Sequence, residues 1–260
     1  MNQNLDAWNQ RLEYHLKSDF YGMGSFLAGR DSLPEYDRLL LGDVKGKSLL
    51  HMQCHFGQDS LSLARTGALV TGVDFSEPAI AKARELNLQL GLDADFVCCD
   101  VRETLQHVRT SFDIVYTSYG TIGWLPELES WAQVIAGALK PGGRLVFVEF
   151  HPVVWMFASD FTEIVYSYSN AGPILEEEKG TYADTDAPIL TTTSTWNHGL
   201  AEVFTALTQA GLQVVTLDEL DYSPYPVFPD SVQYQLGRYR MKRFDNKLPL
   251  VYSMQAIKPL

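Results

Sequence analysis

Basic residues, cysteines and long apolar runs are all scarce in this sequence, and each shortage excludes a class of protein. Lys and Arg number 20 against 32 Asp and Glu, a formal charge of −12. Binding to nucleic acid rests largely on neutralising phosphates with basic side chains, so neither DNA nor RNA is an expected partner. The three cysteines, Cys54, Cys98 and Cys99, include an adjacent pair badly placed for bridging and leave an odd thiol. That pattern argues against a disulfide scaffold and for a reducing, cytoplasmic setting. No stretch of about eighteen uncharged apolar residues occurs, and the polar opening MNQNLDAWNQ lacks the basic start and apolar run of a secretory leader, so no membrane partner is expected. What remains, 46% apolar and 20% charged residues over 260 positions, is the composition of one folded domain.

The chain divides by pattern. Residues 1–44 read as a helical cap, with Leu5, Trp8, Leu12 and Leu16 at helical spacing and a stretch rich in glycine after them. Residues 45–150 alternate. Short apolar runs at 48–52, 69–73, 95–99, 112–117 and 144–150 have strand character, and helical spacing begins near Gln58, Pro78, Glu103 and Glu127. Such alternation predicts a mainly parallel, doubly wound, Rossmann-like α/β sheet. Residues 151–196 break the rhythm with β-prone, turn-rich pieces and read as an inserted lid. Residues 197–260 supply a helix capped near Gly211 and two strands, 212–217 and 249–259, joined by a connection long enough for the last strand to run antiparallel. The proline-rich loop at 222–230 reads as neither helix nor strand.

In such sheets ligands bind beyond the carboxyl ends of the strands. The segment LLHMQCHFGQDSLSLAR crosses that edge, and a helix opening after Gly57 would point free N–H groups at an anionic group there. Asp74, ending the second run, suits the two hydroxyls of a ribose, and Asp100 suits an exocyclic amine such as that of adenine. A dinucleotide fingerprint is missing, because only one glycine stands in the first loop, which disfavours a nicotinamide enzyme. His51, Cys54 and His55 form a possible metal-ligand set, or with Cys98 and Cys99 a thiol-rich arsenic site. Structural zinc, however, takes four ligands and cysteines in strands are commonly small buried apolar groups, so no metal is assigned.

These same segments, with CCDVRE, FDIVYTSYG and LKPGGRLVFVEF, resemble class I S-adenosylmethionine-dependent methyltransferases, and LLHMQCHFGQDSLSLAR, EFHP and TWNHGL resemble a bacterial subgroup of that family that acts on small molecules. The resemblance implies a seven-stranded sheet with an antiparallel last strand. It implies S-adenosylmethionine as cofactor, S-adenosylhomocysteine as product, a small-molecule acceptor, and a monomer or homodimer. The cofactor would touch Gln53, Cys54, His55, Phe56, Gly57, Asp74, Phe75, Ser76, Asp100, Val101 and Tyr21. Two glycines of the family's first motif are replaced by Gln53 and His55, so the loop must run wider or use these side chains as contacts. The acceptor side would be formed by Tyr119, Gly120, Trp124, His151 and His198, with Tyr119, His151 and His198 as candidate catalytic groups. Methyl transfer from a sulfonium needs mainly alignment and, for some acceptors, removal of a proton. The other reading is a noncatalytic binding module on the same fold.

Overall fold

The computed structural model describes residues 2–260. The helical cap comprises α1 (Asn2–Lys17), α2 (Met23–Leu27) and α3 (Glu35–Leu41). The alternating core runs β1 (Ser48–Met52), α4 (Gln58–Arg65), β2 (Leu69–Asp74), α5 (Glu77–Gln89), β3 (Asp95–Cys98), α6 (Thr104–His107), β4 (Phe112–Ser118), α7 (Glu129–Ala138) and β5 (Leu139–Phe150). Then follow β6 (Ile174–Lys179), β7 (Leu190–Thr195), α8 (Leu200–Gln209), β8 (Gln213–Leu220), β9 (Ser231–Gln235), β10 (Arg238–Met241) and β11 (Val251–Ile257).

Seven strands form one sheet in the order β3-β2-β1-β4-β5-β11-β8. The first five are parallel, whereas β11 runs antiparallel to both β5 and β8. The order reverses between β1 and β4, which is the switch point where open sheets leave a crevice at their carboxyl edge. Strands buried on both faces call for nearly continuous apolar runs, and LLHM in β1 and VFVEF in β5 are buried throughout, with His51 and Glu149 the polar exceptions. One core lies under α3, α4 and α5 and includes Leu61, Ile80 and Tyr116; the other lies under α7 and α8 and includes Trp131, Phe147 and Leu207. No helix among the described residues is long and apolar enough to cross a membrane.

Two features depart from the sequence reading. β5 begins at Leu139, because Leu139 already pairs with Phe112, and a register shift then absorbs the Pro-Gly-Gly turn. The connection between β8 and β11 also holds a small hairpin, β9–β10; VQYQ in β9 is exposed and RYRM in β10 half-buried, and neither has the apolar run expected of a strand. Residues 151–196 hold a second hairpin, β6–β7, whose β7 packs against α1.

Candidate active site

A cavity of about 1010 Å³ opens beyond the carboxyl ends of the core strands. The loop after β1 forms its floor. Gln53, His55 and Gly57 all adopt left-handed backbone conformations, with φ of 56°, 52° and 77°. A Cβ on Gly57 would lie 2.6 Å from the Phe96 ring, so glycine is required there. The loop therefore keeps the tight path that three glycines would allow and uses the two larger side chains as contacts. Gln53 donates from Nε2 to the Thr121 carbonyl at 2.8 Å, and His55 Nε2 shares a hydrogen bond with His15 Nδ1 at 3.0 Å.

Asp74 locks this loop to β2. One carboxylate oxygen accepts from the His55 N–H at 2.8 Å and the other from the Ser76 N–H at 3.0 Å. Burial pushes its carboxyl up to about 6, against the pull of those N–H donors. Two bonds leave acceptor capacity free on the carboxylate. Asp100 behaves differently, since Arg102 grips it through Nε at 3.0 Å and Nη2 at 2.7 Å. Burial raises its carboxyl, but the hydrogen bonds from Arg102 outweigh that and hold it below its ordinary value. Phe75, Val101, Cys54, Phe56 and Tyr21 also line the cavity; Ser76 does not, being turned to cap α5 and to donate to Asn9.

The grouping of His51, Cys54 and His55 comes apart. His51 is buried against Ser60 with Nδ1 to Oγ at 2.7 Å, and burial lowers it to about 3. Cys54 points its thiol at the His55 carbonyl, burial raising that thiol well above its ordinary value, and Cys98 faces the Phe75 carbonyl. Among the described residues no three His, Cys, Asp or Glu side chains gather as a metal site would require.

The loop after β4 forms the opposite wall. Buried Glu149 collects it: the carboxylate accepts from the N–H groups of Gly120, Thr121, Ile122 and Phe150 and from the Thr121 hydroxyl. Tyr119, at φ 46°, sends its hydroxyl away from the cavity to Asp37, which also accepts from Tyr116 at 2.6 Å. Burial lifts Asp37 to about 7 in spite of both hydrogen bonds. Gly120, Trp124 and the Tyr119 ring line the cavity, with Trp124 Nε1 donating to the Gly120 carbonyl.

His151 is not part of the lining. Its Nδ1 accepts from the Val153 N–H at 3.2 Å, which leaves Nε2 to donate to Glu219 at 2.8 Å, so both ring nitrogens are committed to holding the chain after β5. His198 does reach the lining, but its ring is fixed between the Leu125 carbonyl and Glu202. In this structure, then, His151 lies outside the lining, and both nitrogens of each imidazole are hydrogen-bonded.

Several lining groups were invisible in the sequence. α1 contributes Trp8 and Arg11, the hairpin contributes Tyr182, and three buried polar atoms on lining residues have no partner: Gln53 Oε1, Arg11 Nε and the Tyr252 hydroxyl. An orphaned acceptor and an orphaned donor on one cavity complement an amino group and a carboxylate. Asp37 and Glu149 were missed because nothing in PEYDRLL or VFVEF signals a buried carboxylate; only the fold brings the donors to them.

A parallel sheet reversed at β1/β4, an antiparallel β11 and a cavity with an acid at the end of β2 define the class I methyltransferase architecture. Residues 49–143 match the family model of the methyltransferase domain. The chain is similar to a ubiquinone biosynthesis O-methyltransferase of Idiomarina loihiensis, 34% identical over 102 residues, covering 39% of this chain and 42% of that one. A protein of the same description from Bordetella pertussis is 28% identical over 185 residues, 70% of this chain and 69% of that one. The chain thus spans less than half the length of the first relative. A crystal structure of an S-adenosylmethionine-dependent methyltransferase from Mesorhizobium loti superposes with a TM-score of 0.57 at 16% identity, covering 89% of this chain and 99% of that one. The donor set fits that cofactor: Asp74 for ribose hydroxyls, and Gln53 Oε1 with Arg11 Nε for the amino-acid end.

Proposed function

We propose that this protein transfers a methyl group from S-adenosylmethionine to a small-molecule acceptor in the cytoplasm. The observation that carries the reading is the convergence on one cavity of the loop after β1, Asp74, Asp100 and the loop after β4. Bound there, the cofactor supplies a methyl group already activated as a leaving sulfonium substituent. The chain's own residues then have three tasks. Asp74 holds the ribose, and Asp100 with Val101 bounds the adenine. Gln53, Arg11 and the His55–His15 pair take the methionine end. The loop Tyr119–Ile122, pinned by Glu149, aligns the acceptor, while α1 and the β6–β7 hairpin exclude water. The engagement of His151 and His198 favours acceptors whose nucleophilic atom loses its proton readily, without a dedicated imidazole base. The description of the two relatives favours oxygen as the methylated atom.

Calorimetry with S-adenosylhomocysteine tests the cofactor. Loss of a hydrogen bond to a charged group costs ~1.5–3 kcal/mol, so Asp74→Ala is expected to weaken binding about 10- to 100-fold. Unchanged affinity would reject the assignment. Tritium transfer from labelled S-adenosylmethionine into a metabolite extract tests the chemistry; tight cofactor binding without any transfer would favour a noncatalytic module.

A further inference from the structure

On the side of the cavity beyond β5, six aromatic side chains from separate segments come together. Phe150 ends β5; Trp155, Phe157 and Phe161 follow it; Tyr225 and Phe228 arrive from the loop after β8. Their rings are ordered among themselves. Phe157 and Phe161 lie stacked, 5.1 Å between centroids and 13° between planes, and Phe228 stands edge-on to Phe150 at 5.3 Å and to Phe161 at 5.7 Å. Trp155 meets Phe150 edge-on at 5.8 Å yet keeps 41% of its surface exposed. A large indole held beside two buried rings, with one side left open to a cavity, is apolar surface without a partner.

None of the six side chains is ionised at neutral pH, and the charged groups beside the wall are engaged within the protein. Asp37 has both oxygens taken by the hydroxyls of Tyr116 and Tyr119, Glu149 accepts from the loop after β4, and Asp59 accepts from the Ser32 hydroxyl. Arg30 donates to Ser25 and the Tyr21 carbonyl, and Arg243 to Asp230 and the Asp160 carbonyl. The Tyr119 ring, 5.4 Å from both Phe150 and Tyr225, continues the aromatic wall up to the loop after β4. An ionic group seated here would lose its water and find the nearby counter-charges already hydrogen-bonded within the protein. Ring edges and faces offered at these spacings complement another ring, through edge-to-face or offset contacts, better than a flexible alkyl chain.

We infer that the acceptor is an uncharged molecule that seats an aromatic ring among Phe150, Trp155, Phe157, Phe161, Tyr225 and Phe228. The inference rests on the methyl-transfer reading for calling the ligand an acceptor, but the ring site itself is testable without it. The probes are 2-naphthol, 2-naphthylmethylamine, which is cationic at neutral pH, and 1-decanol, each titrated calorimetrically with and without S-adenosylhomocysteine. Trp155 is half exposed, so Trp155→Ala should fold, and melting curves verify it.

Binding of 2-naphthol is expected in both conditions, with the amine and the alcohol at least about tenfold weaker. Trp155→Ala should weaken 2-naphthol by at least about fivefold, with Trp155→Phe restoring most of the loss. No binding of 2-naphthol, equal binding of the amine or of decanol, or indifference to Trp155→Ala would overturn the ring site. Failure of S-adenosylhomocysteine to bind, with 2-naphthol still bound at this site, would instead sink the methyl-transfer reading and leave the ring site standing.

Discussion

Gln53 and His55 hold left-handed backbone conformations that cost a non-glycine residue on the order of 1–2 kcal/mol each. Both side chains offset that cost with contacts, Gln53 to the Thr121 carbonyl and His55 to His15. Strain and contact separate experimentally. Gln53→Ala removes the contact and keeps the strain, whereas Gln53→Gly removes both, so the glycine variant should be the more stable by about 1 kcal/mol in urea melts with equal slopes. Gly57→Ala has no such relief. It should lose about 2–4 kcal/mol, from the positive φ together with a Cβ forced against Phe96. Equal stability of the two Gln53 variants would show that the loop relaxes out of the left-handed region. The sequence showed which positions lack glycine, but backbone dihedrals are settled by neighbours, here the Val73 carbonyl and the Asp74 carboxylate, that become adjacent only on folding.

Among the elements, α3 and β4 are joined through Asp37, a buried carboxyl between two tyrosine hydroxyls. Burial lifts it to about 7 from an ordinary value of 3.8. Between these values the folded protein holds a proton that the unfolded chain has released. Stability from this group is therefore greatest at low pH and is lost as pH rises through the window, by up to about 1.4 kcal/mol per unit. Asp37→Asn does not titrate. Relative to the parent it should gain at least ~2 kcal/mol on going from pH 5 to pH 8, measured by denaturant unfolding; a difference that stays flat would mean that Asp37 ionises like an exposed carboxyl. The core strands β1 to β4 were legible because alternation of apolar runs and helical spacing is a local property. The β9–β10 hairpin was not, since its two short strands mix polar with aromatic residues and have no apolar run, and the fixed roles of His151 and Glu149 depend on partners, Glu219 and the loop after β4, that the sequence does not pair with them.

Across the whole molecule, the cavity is covered by parts distant in sequence that fasten to one another. Asn4 makes a two-way amide clasp on β7, donating to the Ser194 carbonyl at 2.7 Å and accepting from its N–H at 2.8 Å. Arg11 bridges to Glu178 on β6 and to Thr191 on β7, and Tyr21 meets Tyr182 hydroxyl to hydroxyl. The expectation of a helical cap and an inserted lid thus becomes a proposal about one joint cover, α1 with the β6–β7 hairpin, which a ligand must displace to enter. Opening is governed by the local free energy of those fastenings rather than by global unfolding. Asn4→Ala removes two hydrogen bonds, on the order of 2 kcal/mol, and should raise the open population about 30-fold. Limited proteolysis reads this directly: cleavage within residues 18–34 should accelerate strongly in the variant while the melting temperature moves by only a few degrees. S-adenosylhomocysteine should slow cleavage in both proteins, because a ligand that binds beneath the cover favours the closed state by its own binding free energy. Cleavage that is indifferent to both the substitution and the ligand would mean that α1 is a fixed wall, and that entry runs instead past the exposed indole of Trp155.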